Sequence, residues 1–202
     1  MKPAETWNSQ YAPAFPVCGY ALQQKEALPW LTANIHTPVT QGDIKWGLQQ
    51  GLVAGVVAGL VFAVFEMLVS AFMMGANAFF MPLRMIGAIA LGSAALDPGY
   101  SLMTAGFAGV VVHMVLAIIY GLIFGAVATM LRGAAALIGL GLIYGLALWL
   151  LNFYVIAPTA FPWFMEADPV VQFIAHTFFF GAVLGLWFWN SQQRSGFDEP
   201  TA

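Results

Sequence analysis

The sequence predicts an all-α integral membrane protein: a four-span helical bundle with a short re-entrant or interfacial helix after span 1 and an aromatic N-terminal tail. Three observations carry this reading. Hydrophobic residues make up 61% of the 202 positions and charged residues 7%, against about 25% charged in soluble domains. Four apolar stretches each reach the roughly 20 helical residues that cross a bilayer. The rare ionisable residues within them fall at one level, as polar groups do when they face protein and not lipid.

Residues 1–42 form an extramembrane tail punctuated by Pro3, Pro13, Pro16, Pro29 and Pro38. Trp7, Tyr11, Phe15, Tyr20 and Trp30 make it too aromatic for an ordinary disordered segment. The tail is therefore expected on its own helices, on lipid headgroups or on a partner subunit. It has no continuous apolar run of the signal-peptide kind, so the first span is expected to direct insertion.

The membrane domain covers 43–190. Span 1 runs over about 43–74, with Asp43 as N-cap and Lys45 and Trp46 as interfacial anchors. Within it, Gly51, Gly55 and Gly59 recur every fourth position, so they share a face that lets helix backbones touch. Glu66 and Ser70 continue that face. Gly75, Asn77 and Pro82 break the helix, and 79–97 is apolar but short, which favours an interfacial or re-entrant segment. Asp97-Pro98-Gly99 marks a turn. Span 2 covers about 104–130, and span 3 about 135–156, ended by Pro158 and Pro162. Span 4 starts at Pro169, a residue suited to the first turn of a helix, and runs to about 190. Residues 191–202 form a polar C-terminal tail.

Charge narrows the class. Four spans put both tails and the 131–134 loop on one side with Lys2, Lys25, Lys45, Arg132 and Arg194, leaving Arg84 on the other. The excess of cations predicts a multi-pass inner-membrane protein with both termini cytoplasmic. The net charge of −3 and the lack of a basic patch argue against nucleic acid as a partner. Cys18 is the single cysteine, which excludes an internal disulfide and any multi-cysteine metal site. No phosphate-binding loop, nucleophile elbow or zinc-protease motif occurs, so no enzyme activity is expected.

Two hairpins align with each other. Gly55-x3-Gly59-x6-Glu66 matches Gly141-x3-Gly145-x6-Asn152, and Gly106-x6-His113 matches Pro169-x6-His176. Internal duplication is one reading, related by an axis along the membrane normal; chance recurrence of an abundant glycine is the other.

Connectivity then sets depth. At 1.5 Å per residue, Glu66 and Asn152 on outward-running spans reach the same outer slab as His113 and His176 on inward-running ones. Four readings of this Glu66–His113–Asn152–His176 cluster stay open. It is a structural hydrogen-bond network between spans. It is a haem b site with His113 and His176 as axial ligands. It is a metal site of His113, His176 and Glu66, where Met67, Met73, Met74, Met81 and Met165 would favour copper(I). Or it is a proton or quinone path. Neither haem b nor copper is favoured. Arg84 either snorkels to the interface or pairs with Glu66. The overall expectation is a small accessory subunit of a larger bacterial membrane complex, an electron-transfer assembly above all, with lipid and other membrane subunits as partners. The alternative is a stand-alone haem- or metal-binding, or ion-conducting, membrane protein.

Overall fold

The structure, a computed structural model, describes residues 38–195; expectations for 1–37 and 196–202 lie outside the described residues. All regular structure among the described residues is helical. Four helices are long and apolar enough to cross a membrane: α1 (Gln41–Met74), α3 (Leu102–Ala128), α4 (Ala134–Ala160) and α5 (Pro169–Arg194). A short helix, α2 (Met81–Leu91), lies between α1 and α3.

The start of α1 corrects one detail. Thr40, not Asp43, is the N-cap, and Asp43 is the third helical residue of a capping box. The Thr40 side chain accepts from the Asp43 backbone N–H (3.2 Å) while Asp43 Oδ2 accepts from the Thr40 N–H (2.8 Å). Reciprocal capping satisfies two backbone donors, where an Asp43 cap would satisfy one.

Glycine stripes set the helix pairs. Gly47, Gly51, Gly55 and Gly59 are buried together with Glu66 and Ser70 along α1. A Cβ added at Gly55 would meet the Ala117 carbonyl oxygen at 2.5 Å, and one at Gly47 would meet that of Gly125 at 2.5 Å. Gly51 and Gly121 approach each other as closely. α1 and α3 thus run antiparallel, backbone against backbone, the arrangement small residues permit. α4 and α5 pair likewise: Gly141 meets the Gly181 carbonyl, Gly145 that of His176, and Gly185 that of Leu137. Gly106 is not part of the packed face of α3, since a Cβ there would meet nothing within 4 Å.

α1 also lies antiparallel to α5, from Trp46 against Phe188 at one end to Glu66 against Gln172 at the other. Tyr144 of α4 reaches α3 by donating its hydroxyl to the Tyr120 carbonyl (2.9 Å). At the end holding Trp46, the core is closed: Phe124, Leu137, Leu184 and Phe188 are fully buried. The opposite end is not filled, and Glu66, His113, Asn152 and His176 lie there, while buried Thr129, Ser191 and Gln192 lie at the closed end.

α2 is bracketed by Gly75 and Gly92, whose φ values of +93° and +81° suit glycine and stop the flanking helices. It packs antiparallel to the first turns of α3, with Gly87 against the Ala105 carbonyl and Gly109 against that of Leu83. Arg84 does not pair with Glu66. Its guanidinium donates to the carbonyls of Asp97 (2.6 Å) and Tyr100 (3.1 Å), tying α2 to the turn before α3. Trp163 Nε1 donates to the Met85 carbonyl (3.1 Å) from the α4–α5 loop.

α4 passes its expected end near Ile156 and continues through Pro158 to Ala160. A wide π-type turn spans Asn152–Ile156, directly before the proline. Proline in a regular helix clashes with the preceding turn; the widened turn leaves room for its ring, so Pro158 is carried within the helix. α5 holds a second wide stretch, Ala175–Ala182. Its N-cap Asp168 accepts from the N–H groups of Val170 (2.8 Å) and Val171 (3.0 Å), with Pro169 following as expected.

Candidate functional site

The unfilled end of the bundle is a cavity of about 700 Å³ bounded by all five helices and the α4–α5 loop. Its walls are largely apolar, from Phe62, Val69, Ile86, Ile89, Leu116, Phe153 and Phe180 among others. Glu66, His113, Asn152 and His176 all line it, so the four polar residues singled out by spacing and depth converge on one space.

Glu66 reaches this wall because it continues the glycine stripe of α1. It is 8% exposed. Its Oε2 accepts from Gln172 Nε2 at 2.8 Å, and its Oε1, also buried, has no hydrogen-bond partner among the described residues. The partner expected for Glu66 was Asn152, His113 or Arg84; the fold supplies Gln172, one turn before His176. A polar pair spaced four apart in an apolar helix was the available signal.

The histidines are held differently. His113 Nε2 donates across the helix interface to the Gly59 carbonyl (2.8 Å). A Cβ at Gly59 would meet that of Ala117 at 2.6 Å, so the glycine permits the close approach of α1 and α3 that this bond crosses. His176 Nδ1 donates to the Gln172 carbonyl within its own helix (2.8 Å). Carbonyls only accept, so in each neutral ring the second nitrogen, Nδ1 of His113 and Nε2 of His176, carries the lone pair. Phe62 packs against both rings, with centroids 5.6 Å from His113 and 4.9 Å from His176. Asn152 Oδ1 accepts from the Tyr120 hydroxyl (3.3 Å), and Tyr120 also lines the cavity.

Among the described residues, no three of His, Cys, Asp and Glu are grouped so as to hold a metal ion. Of the five methionines weighed as soft ligands, Met73, Met74 and Met81 line the cavity and are joined by Met85; Met67 and Met165 do not line it. Thioethers on flexible stems give a wall that adapts to what it meets. The wide turns of α4 and α5 begin beside the polar cluster, at Asn152 and just before His176. Such turns recur at functional sites because they re-aim side chains.

No family model, curated protein or solved structure matches this chain. Four apolar spans with lipid-exposed outer faces and one polar-centred cavity define a multi-pass helical membrane protein.

Proposed function

We propose that this protein is a binding module of the membrane, not an enzyme, and that its cavity takes up a lipid-soluble molecule with a polar end. A single observation carries the reading. A cavity of about 700 Å³ with mostly apolar walls brings together the buried side chains of Glu66, Ser70, Gln172 and His176, the first a carboxyl with a buried oxygen unpartnered among the described residues. Ligand sites have this character: apolar bulk with a few convergent polar groups, within about 300–1,000 Å³. Intramembrane ionisable residues mark such sites by default.

The setting follows from charge. Lys45, Arg132 and Arg194 lie at the closed end and Arg84 at the cavity end. The positive-inside bias supports an inner-membrane location with cytoplasmic termini and a cavity facing the other side. The antiparallel packing of α2 on the first turns of α3 supports a re-entrant segment that walls the cavity. The matched glycine crossings of α1–α3 and α4–α5 support duplication of a hairpin. The same cavity fits the accessory subunit of an electron-transfer complex expected from sequence, because quinones are lipid-soluble molecules with polar ends.

The test uses the purified full chain in phosphatidylcholine nanodiscs and the fluorescent probe 1-pyrenemethanol. The expected result is a saturable binding component absent from empty nanodiscs and lost when Val69→Trp fills the cavity. Probe uptake indistinguishable from that of empty nanodiscs would overturn the proposal.

A further inference from the structure

From the charges and hydrogen-bonding groups on the cavity wall, we infer that the ligand is a lipophilic cation, a protonated amine carried on an apolar or aromatic body. The inference rests on the reading of this cavity as a ligand site and names the class of ligand.

Charge comes first. Glu66 lies inside the cavity, and Glu166 and Asp168 of the α4–α5 loop stand on its wall, while among the described residues no lysine or arginine lines it. Arg84 of α2 is committed to the carbonyls of Asp97 and Tyr100. Gln172, the one side chain bonded to Glu66 among the described residues, is neutral. The ionised form of a buried carboxyl is costly without a cation partner, and a ligand cation would supply that partner and stabilise that form.

Hydrogen-bonding capacity points the same way. One N–H of the Gln172 amide is used on Glu66, leaving the second as a donor and the oxygen as an acceptor. The donor nitrogens of His113 and His176 are used on carbonyls, leaving a lone pair on each neutral ring. Asn152, whose oxygen accepts from Tyr120, retains its amide N–H groups. Acceptors therefore predominate over donors, with Glu66 Oε1 unpartnered among them. A primary ammonium brings three donors and no acceptor. Its bond to a carboxylate is charge-assisted and short, the strongest contact such a wall can offer. A quinone carbonyl, which only accepts, would find its donors in the spare amide N–H groups of Asn152 and Gln172 alone. Phe62, Phe153 and Phe180 add ring surface on which a cation is favoured over a neutral head.

The experiment compares two probes with the same body: 1-pyrenemethylamine, a cation at neutral pH, and neutral 1-pyrenemethanol. Affinities are measured on the full chain in phosphatidylcholine nanodiscs, with empty nanodiscs subtracted. The expected result is at least tenfold tighter binding of the amine. Glu66→Gln should abolish the preference, and Glu66→Asp should retain it. Equal or tighter binding of the alcohol by the native chain overturns the inference but leaves the cavity a ligand site. An amine preference that survives Glu66→Gln also overturns it. Saturable binding of neither probe overturns both the ligand class and the site.

Discussion

At Glu66 the fold treats two oxygens of one carboxyl group differently, bonding Oε2 to Gln172 and leaving Oε1 buried without a partner among the described residues. Removing Gln172 alone would strip the remaining bond from a buried group, at a cost of about 1–3 kcal/mol. Gln172→Leu should accordingly lower the melting temperature of the detergent-solubilised protein. The double variant Glu66→Leu/Gln172→Leu should recover most of the loss, since replacing both partners by apolar groups is nearly neutral. A double variant less stable than either single one would show that Glu66 is not held as described. The burial of Glu66 was legible in the sequence, because a carboxyl that continues a four-residue glycine stripe shares its packed face. Its partner was not. Choosing among Asn152, His113, Arg84 and Gln172 needs the register between α1 and α5, which no pattern within one helix contains. A neutral amide also draws less notice than an ionisable group, although burying one unbonded still costs roughly 2–7 kcal/mol.

Among the elements, α1 and α3 meet through backbone contact and not interleaved side chains. Gly55→Leu would drive a side chain into the Ala117 carbonyl, which a Cβ alone would approach to 2.5 Å. Overfilling of this kind costs about 1–3 kcal/mol, so the variant should melt lower than the native protein; an unchanged melting temperature would contradict the packing. α2 depends on different ties. Trp163 holds it by one hydrogen bond to the Met85 carbonyl, worth about 0.5–1.5 kcal/mol. Trp163→Phe should raise hydrogen–deuterium exchange over 79–97 while exchange in the α1–α3 core stays at its native rate. Equal exchange in both regions of the variant would place the anchor of α2 elsewhere. The spans themselves were legible from apolar length alone. The continuation of α4 through Pro158 was not, because a proline reads as an end unless the preceding turn is known to be wide. The Thr40 capping box was present in the sequence as Thr-x-x-Asp and was overlooked for the acidic residue nearer the apolar run.

For the whole molecule, the division is between a closed end packed with Phe124, Leu137, Leu184 and Phe188 and an open end that holds the cavity. Sequence reasoning placed the polar residues at one depth but had no means of showing a space between them, since cavity volume depends on how five helices and a loop diverge. The outer surface is apolar, as contact with lipid requires: Leu68, Phe107 and Ile143 are 57%, 72% and 67% exposed. That contrast between inner wall and outer face permits a direct test of the cavity as a binding site. The full chain in phosphatidylcholine nanodiscs is photolabelled with a long-chain alcohol carrying a diazirine, and the adducts are mapped by peptide mass spectrometry with and without excess unlabelled alcohol. The account predicts adducts on inward-facing residues such as Phe62 and Phe180, suppressed by competitor, beside uncompeted labelling of Leu68, Phe107 and Ile143. Labelling confined to those lipid-facing residues, unchanged by competitor, would contradict it.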